Sequence, residues 1–219
     1  MKSVQANQTQ CLSVLLCLDV SGSMGVPGNP AFRAPLLDVN DALGPFLKDL
    51  SEVTHSAVEL MVVKFSDSIA VEVDFEAVQK LTAPRCSVSG SGTDLGGAIA
   101  RSLDELQARG AYLTQIGIEV PTPWLIVMTD GQPNLCSSPG YEERLLELVK
   151  TKQLNFLPVA VGGYASYDVL ERLSPLIKPV IVGAADAGSL SFAQFFRRVS
   201  VAMASGRAPN FADLQQSHD

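Results

Sequence analysis

The chain has 219 residues, of which 16 are basic and 23 acidic, for a formal net charge of −7. Hydrophobic residues make up 47% and charged residues 18%, below the roughly 25% charged of an average soluble domain, which excludes disorder, collagen-like repeats and a solvated charged rod. With no Lys/Arg run to offset it, the acidic balance repels phosphate backbones and anionic lipid, so neither nucleic acid nor a membrane surface is an expected partner.

Met1 to Gln10 holds one lysine and no apolar stretch, so residues 1–11 are expected to be a flexible N-terminal segment. The first apolar run, Leu12 to Leu18 around Ser13, is too short to span a bilayer and has no following cleavage site, so a cytoplasmic protein is expected. Near-continuous apolar runs mark strands buried on both faces, and the first is Val14–Leu18. A helix follows over Leu36–Leu50, where Gly44-Pro45 should bend or restart it. Val58–Phe65 and Ile69–Val73 flank Ser66-Asp67-Ser68, a link short enough only for a hairpin, so one edge strand should run antiparallel. Asp94–Arg109 repeats Leu95, Ala98, Ile99, Leu103 and Leu106 on one helical face, with Gly110 as its expected stop. Trp124–Met128 is the next strand, followed by a helix at Tyr141–Lys152 with Ser138-Pro139 as cap and first turn. Strands at Phe156–Val161 and Val180–Val182 and a helix at Ser189–Ser205 complete the series, and 207–219 is expected to be a loose tail. Residues 12–206 therefore read as one α/β domain, a doubly wound, mostly parallel central sheet with one antiparallel edge strand and helices on both faces.

Open sheets of this kind bind ligands beyond the carboxyl ends of their strands. Asp19-Val20-Ser21-Gly22-Ser23 follows the first strand, Thr129-Asp130-Gly131 follows the fourth, and Thr93 ends a Ser/Gly loop before the second helix. Asp19, Ser21, Ser23, Thr93 and Asp130 thus bring two carboxylates and three hydroxyls to one edge. Hard oxygen donors without His or Cys suit Mg2+ first and Mn2+ or Ca2+ next. Asp94 is expected to cap its helix rather than touch metal, and Thr93 to act as cap, ligand or both. Asp67 and Asp74 are expected to be solvated turn residues and His55 and His218 surface histidines. Cys11, Cys17, Cys86 and Cys136 show neither C-x-x-C nor zinc-finger spacing and read as structural thiols, Cys17 in the core and Cys86 and Cys136 in loops.

Asp19-x-Ser21-x-Ser23, Thr93 and Asp130 resemble the metal-ion-dependent adhesion site of von Willebrand factor A domains. Phe65-Ser66-Asp67, Gly92-Thr93-Asp94-Leu95-Gly96, Thr129-Asp130-Gly131-x-Pro133 and the closing Phe192-x-x-Phe195-Phe196 are most similar to the bacterial cytoplasmic branch associated with tellurite-resistance and stress operons. The resemblance implies that these five residues hold the metal directly or through water. It further implies a coordination position left open for an Asp or Glu of a protein partner, such as a kinase or phosphatase of the same operon. Two stretches depart from a minimal member: Val26 to Pro35 lengthens the loop after Ser23, and Gln132 to Cys136 enlarges the rim after Asp130.

A Mg2+-dependent phosphohydrolase is the alternative. It needs a second Asp two residues after its nucleophile, and Ser21 stands there with a hydroxyl unsuited to acid/base work near neutral pH. No G-x-x-x-x-G-K-[ST] loop, dinucleotide fingerprint or hydrolytic triad is present either. The expectation is a metal-dependent protein-binding module rather than an enzyme, with a scaffold whose metal is purely structural as a third reading.

Overall fold

β1 (Cys11–Asp19) is buried at every position and forms the centre of the molecule. It pairs in parallel with β2 (Ala57–Phe65) on one side and β4 (Trp124–Thr129) on the other. β3 (Ile69–Ala77) turns back antiparallel on β2, while β5 (Asn155–Val161) and β6 (Val180–Val182) extend the other flank in parallel. The strand order is β3-β2-β1-β4-β5-β6. Among the described residues five α-helices accompany the sheet: α1 (Pro35–Val53), α2 (Leu95–Gln115), α3 (Tyr141–Lys150), α4 (Tyr167–Leu173) and α5 (Phe192–Ala204). The computed structural model describes residues 9–26, 33–53, 57–162, 167–173, 176–184 and 189–206. The 207–219 tail, His55, His218 and most of the Val26 to Pro35 loop lie outside them.

The doubly wound arrangement follows from the period-two alternation of β1. Leu12, Val14, Leu16 and Leu18 face one core with Val39, Leu43, Phe46 and Leu50 of α1 and Phe195, Phe196 and Val199 of α5. Leu15 and Cys17 face the other core, against Leu95, Ile99, Leu103 and Leu106 of α2, Leu145 of α3 and Leu170 of α4. Phe46 stacks on Phe196 with ring centroids 4.5 Å apart, which seats α5 on α1. Each such fully buried side chain contributes about 1.5–3 kcal/mol.

Several local details differ from the sequence expectation. α2 passes through Gly110 for another turn and ends at Gln115, with Ile116 as its C-cap, because buried Arg109 and Leu113 carry its inward face past the glycine. An interior glycine costs about 1 kcal/mol, which that burial outweighs. α1 likewise runs unbroken through Pro45. α3 is preceded not by a Ser138-Pro139 cap but by Gly140 in the left-handed region, at φ 86°. Asp74 is not in a turn: β3 runs on to Ala77, and the Asp74 carboxylate accepts the Phe75 N–H. α4 carried too short an apolar pattern to stand out. Ser13, the polar break in the first apolar run, donates to Glu59 Oε1 at 2.6 Å. Glu59 in turn takes three hydrogen bonds from Arg109, which lies over the rings of Phe75 and Tyr112.

All four cysteines are free thiols, and Cys11, Cys17 and Cys86 are buried. Among the described residues no helix is long and apolar enough to cross a membrane.

Both members of the Glu59–Arg109 pair are about 95% buried, and removing one member of a buried pair leaves an unanswered charge, a loss of about 3–5 kcal/mol. Arg109→Ala should therefore lower the urea unfolding free energy by that order. Arg101→Ala, which removes the exposed pair to Glu105, should cost about 0.5 kcal/mol or less.

Candidate metal centre

β1 ends where β2 lies on one side of it and β4 on the other, the point at which chain connections depart in opposite directions and leave a crevice. Asp19 is the last residue of β1, and its carboxylate is fully buried. Oδ2 accepts from the Thr129 hydroxyl at 2.5 Å, across the β1–β4 pair, and Oδ1 accepts the Ser21 N–H at 2.8 Å. The chain then winds into a tight 3-10 turn, Gly22–Gly25, closed by Met24 N–H to Ser21 O and Val26 N–H to Ser23 O. Met24 anchors this turn in the core between the sheet and α1. Ser21 stands at the start of the turn without spending its hydroxyl on a cap. That hydroxyl lies 3.2 Å from Ser23 Oγ, which donates to Asp130 Oδ1 at 2.8 Å.

Thr93 arrives from a third loop. It is Asp94, not Thr93, that caps α2, accepting the Gly97 N–H at 3.0 Å. The Thr93 side chain is therefore free for another purpose. It is buried, and the hydrogen bonds described at Thr93 run through its backbone N–H and C=O. A Cβ placed on Gly131 would be 3.8 Å from Thr93 Oγ1 and 3.9 Å from Ser23 Oγ, so the three loops meet around that glycine. All five expected residues are thus gathered at one edge.

The structure also shows a fastening that the sequence reading missed. Asn134 Oδ1 accepts the Thr93 N–H at 2.8 Å, and the N–H groups of Asn134 and Leu135 donate back to Thr93 O at 3.2 and 3.3 Å. Ser137 donates its hydroxyl and its N–H to the Asp94 carboxylate. The stretch after Asp130 is therefore pinned to the Thr93–Asp94 corner. Asn following a carboxylate loop was the available signal, but its partner lies 41 residues earlier in the chain. Asp67 is exposed, as expected of a turn residue, and accepts from Ser66 Oγ and Ser91 N–H.

The donor set fits a small divalent cation. Neighbouring ligands of octahedral Mg2+ stand about 3 Å apart, and the Ser21–Ser23 and Ser23–Asp130 oxygens are separated by 3.2 and 2.8 Å. Among the described residues no cluster of three or more His, Cys, Asp or Glu is placed to hold a metal, so the set rests on two carboxylates supplemented by hydroxyls. Burial pushes the Asp19 carboxyl above its usual range, against the hydrogen bonds from Ser21 and Thr129. Asp130 is pushed up to about 6, by burial and by the charge of Asp19, with the Ser23 hydrogen bond opposing. For Asp94 burial works upward, but the bonds from Ser137 and Gly97 outweigh it and hold its carboxyl below the usual value. The two candidate ligands thus carry costly charge, while the helix cap is already satisfied.

No protein-family model and no curated protein matches the sequence. Solved structures do match. A von Willebrand factor type A protein from Catenulispora acidiphila aligns over 88% of this chain and 42% of its own, at 14% identity and a TM-score of 0.58. The ArnB paralog VWA2 from Sulfolobus acidocaldarius aligns over 88% and 45%, at 14% identity and a TM-score of 0.53. The fold is that of a von Willebrand factor A domain. The PilB minor pilin from Streptococcus sanguinis is similar as well, over 93% of this chain and 62% of the pilin, at 14% identity and a TM-score of 0.57. This chain spans less than two thirds of the length of each of them. In this von Willebrand factor A fold the candidate residues occupy the carboxyl edge of the sheet, at the β1–β4 crevice.

A carboxyl whose pKa is raised on folding favours the folded state below its unfolded pKa, and that contribution disappears as pH rises through the folded value. In chelated protein, Asp130 should therefore cause a loss of stability between about pH 4 and about pH 6. Asp130→Asn should flatten this slope and raise the melting temperature at pH 7.5. Thermal melts in EDTA across that range are the measurement.

Proposed function

We infer that the chain is a protein-interaction module in which Asp19, Ser21, Ser23, Thr93 and Asp130 hold a divalent cation, Mg2+ first and Mn2+ or Ca2+ next, and through it capture an Asp or Glu of a partner protein. The observation that carries this reading is the chain of oxygens from Ser21 through Ser23 to Asp130, with the Thr93 hydroxyl turned to the same glycine. A bound cation supplies electrophilic positions at which water exchanges for an external carboxylate. With only two carboxylates behind it, the cation keeps much of its positive charge. Asp19 serves as a buried negative base, Thr129 and the Ser21 N–H orient it, and the Asn134 bracket holds Thr93 in place.

Ser21 stands where a phosphohydrolase would need a general acid, and its hydroxyl, 3.2 Å from Ser23 Oγ, is unsuited to acid/base work near neutral pH. That favours binding over hydrolysis. The resemblance to the tellurite-resistance and stress-operon branch motivates the context: a cytoplasmic complex whose partner is a kinase or phosphatase of the same operon. The fold shared with known von Willebrand factor A structures supports the interaction role in general terms.

Calorimetry should show Mg2+ and Mn2+ binding to the wild-type chain and its loss in Asp19→Ala and Ser23→Ala. Equal metal binding by all three overturns the metal assignment. Partners recovered by affinity purification should be lost with EDTA, and retention of every one in chelator counts against carboxylate capture. A generic phosphatase assay in Mg2+ should show no turnover; activity abolished by Asp19→Asn would establish the hydrolase instead.

A further inference from the structure

Three large apolar side chains left exposed by the fold stand on the three loops of the candidate metal centre, one on each. Val26 follows the turn that carries Ser21 and Ser23 and is 64% exposed. Val88 precedes the loop that ends at Thr93 and is 45% exposed, and Leu135 follows Asp130 and is 44% exposed. Single exposed apolar residues are ordinary, but a group of them around one site marks an interaction surface.

Val88 and Leu135 are held there by glycines. A Cβ on Gly25 would come within 2.4 Å of Val88 Cγ2, so Val88 lies directly over the turn that follows Ser23. A Cβ on Gly92 would come within 2.7 Å of Leu135 Cδ1, so Leu135 covers the residue preceding Thr93. Leu135 is further fixed by its N–H to Thr93 O. The rim also has a charge character. Residues 20–26, 86–94 and 130–138 contain no Lys or Arg, and Asp67 packs beside Gly90 and Gly92. Such a rim repels a partner rich in acids. It matches one that offers a single carboxylate to the cation and apolar groups to its surroundings.

We propose that Val26, Val88 and Leu135 select the partner, favouring a protein segment in which one Asp or Glu is flanked by large aliphatic or aromatic side chains. The proposal rests on the carboxylate-capture reading and adds the chemistry of the residues around the captured acid. The chain itself contains a sequence of this type, Phe211-Ala212-Asp213-Leu214, which supplies a probe.

The test is calorimetry in Mg2+ with an amidated peptide of residues 207–216, in which Asp213 is the only acid. A second peptide carries Phe211→Ser and Leu214→Ser. Wild-type protein should bind the first peptide about five- to tenfold more tightly than the second, the scale expected from burying two apolar side chains partway. The double variant Val88→Ser, Leu135→Ser should lose that preference while keeping wild-type Mg2+ affinity and melting temperature, so a folding defect is separated from a lost contact. Equal affinity for the two peptides, or a preference unchanged in the rim variant, overturns this proposal and leaves carboxylate capture standing. No binding of either peptide to Mg2+-loaded protein overturns both.

Discussion

A carboxylate withdrawn from water has to be answered by hydrogen bonds or by a counter-charge, and Asp19 imposes that demand at the centre of the sheet. The parallel register of β1 with β4 sets the Thr129 hydroxyl beside it, and the turn after β1 supplies the Ser21 N–H. Both answers are neutral donors, so the negative charge is held in place rather than cancelled. Asp130, at the next strand end, adds a second carboxyl, which burial and the charge of Asp19 make harder to ionise. The edge of the molecule is arranged around an electrostatic imbalance that a cation would relieve.

The opposite end of the sheet solves the same problem in another way. Glu59 is as deeply buried as Asp19, yet it meets Arg109 through a forked set of hydrogen bonds, with Ser13 filling in beside them. Charge is neutralised there within the chain, and Phe75 and Tyr112 close over the guanidinium. The two ends of one sheet therefore differ in kind: one is internally compensated and serves stability, and the other is left uncompensated and faces outward.

Much of this arrangement was legible in the sequence because its signals are local. The strands and the antiparallel edge follow from apolar runs and from the length of the Ser66-Asp67-Ser68 link, and the five oxygen donors each follow a strand end or precede a helix. What escaped depends on pairs far apart in the chain. Gly110 reads as a stop until Arg109 is seen buried against Glu59. Ser13 reads as a flaw in a strand until the same pair is found beneath it. The Asn134 bracket joins two loops whose connection only the folded sheet provides, and Gly140 replaces a Ser-Pro cap because the loop before α3 is drawn toward Asp94 by Ser137. Residues that place the candidate ligands were harder to find than the candidates themselves, since a bracket carries no composition of its own.

The distribution of thiols has a practical consequence. Burial pushes Cys11 and Cys17 up to about 12 and Cys86 up to about 11, which leaves them unreactive toward alkylating reagents near neutral pH. Cys136 is the exposed one, and it lies between Leu135 and Ser137 on the stretch pinned to the Thr93–Asp94 corner. A maleimide dye or spin label applied to the unmodified chain will attach there without any engineered cysteine. The natural sequence thus carries a single-point spectroscopic reporter at the margin of its own candidate site.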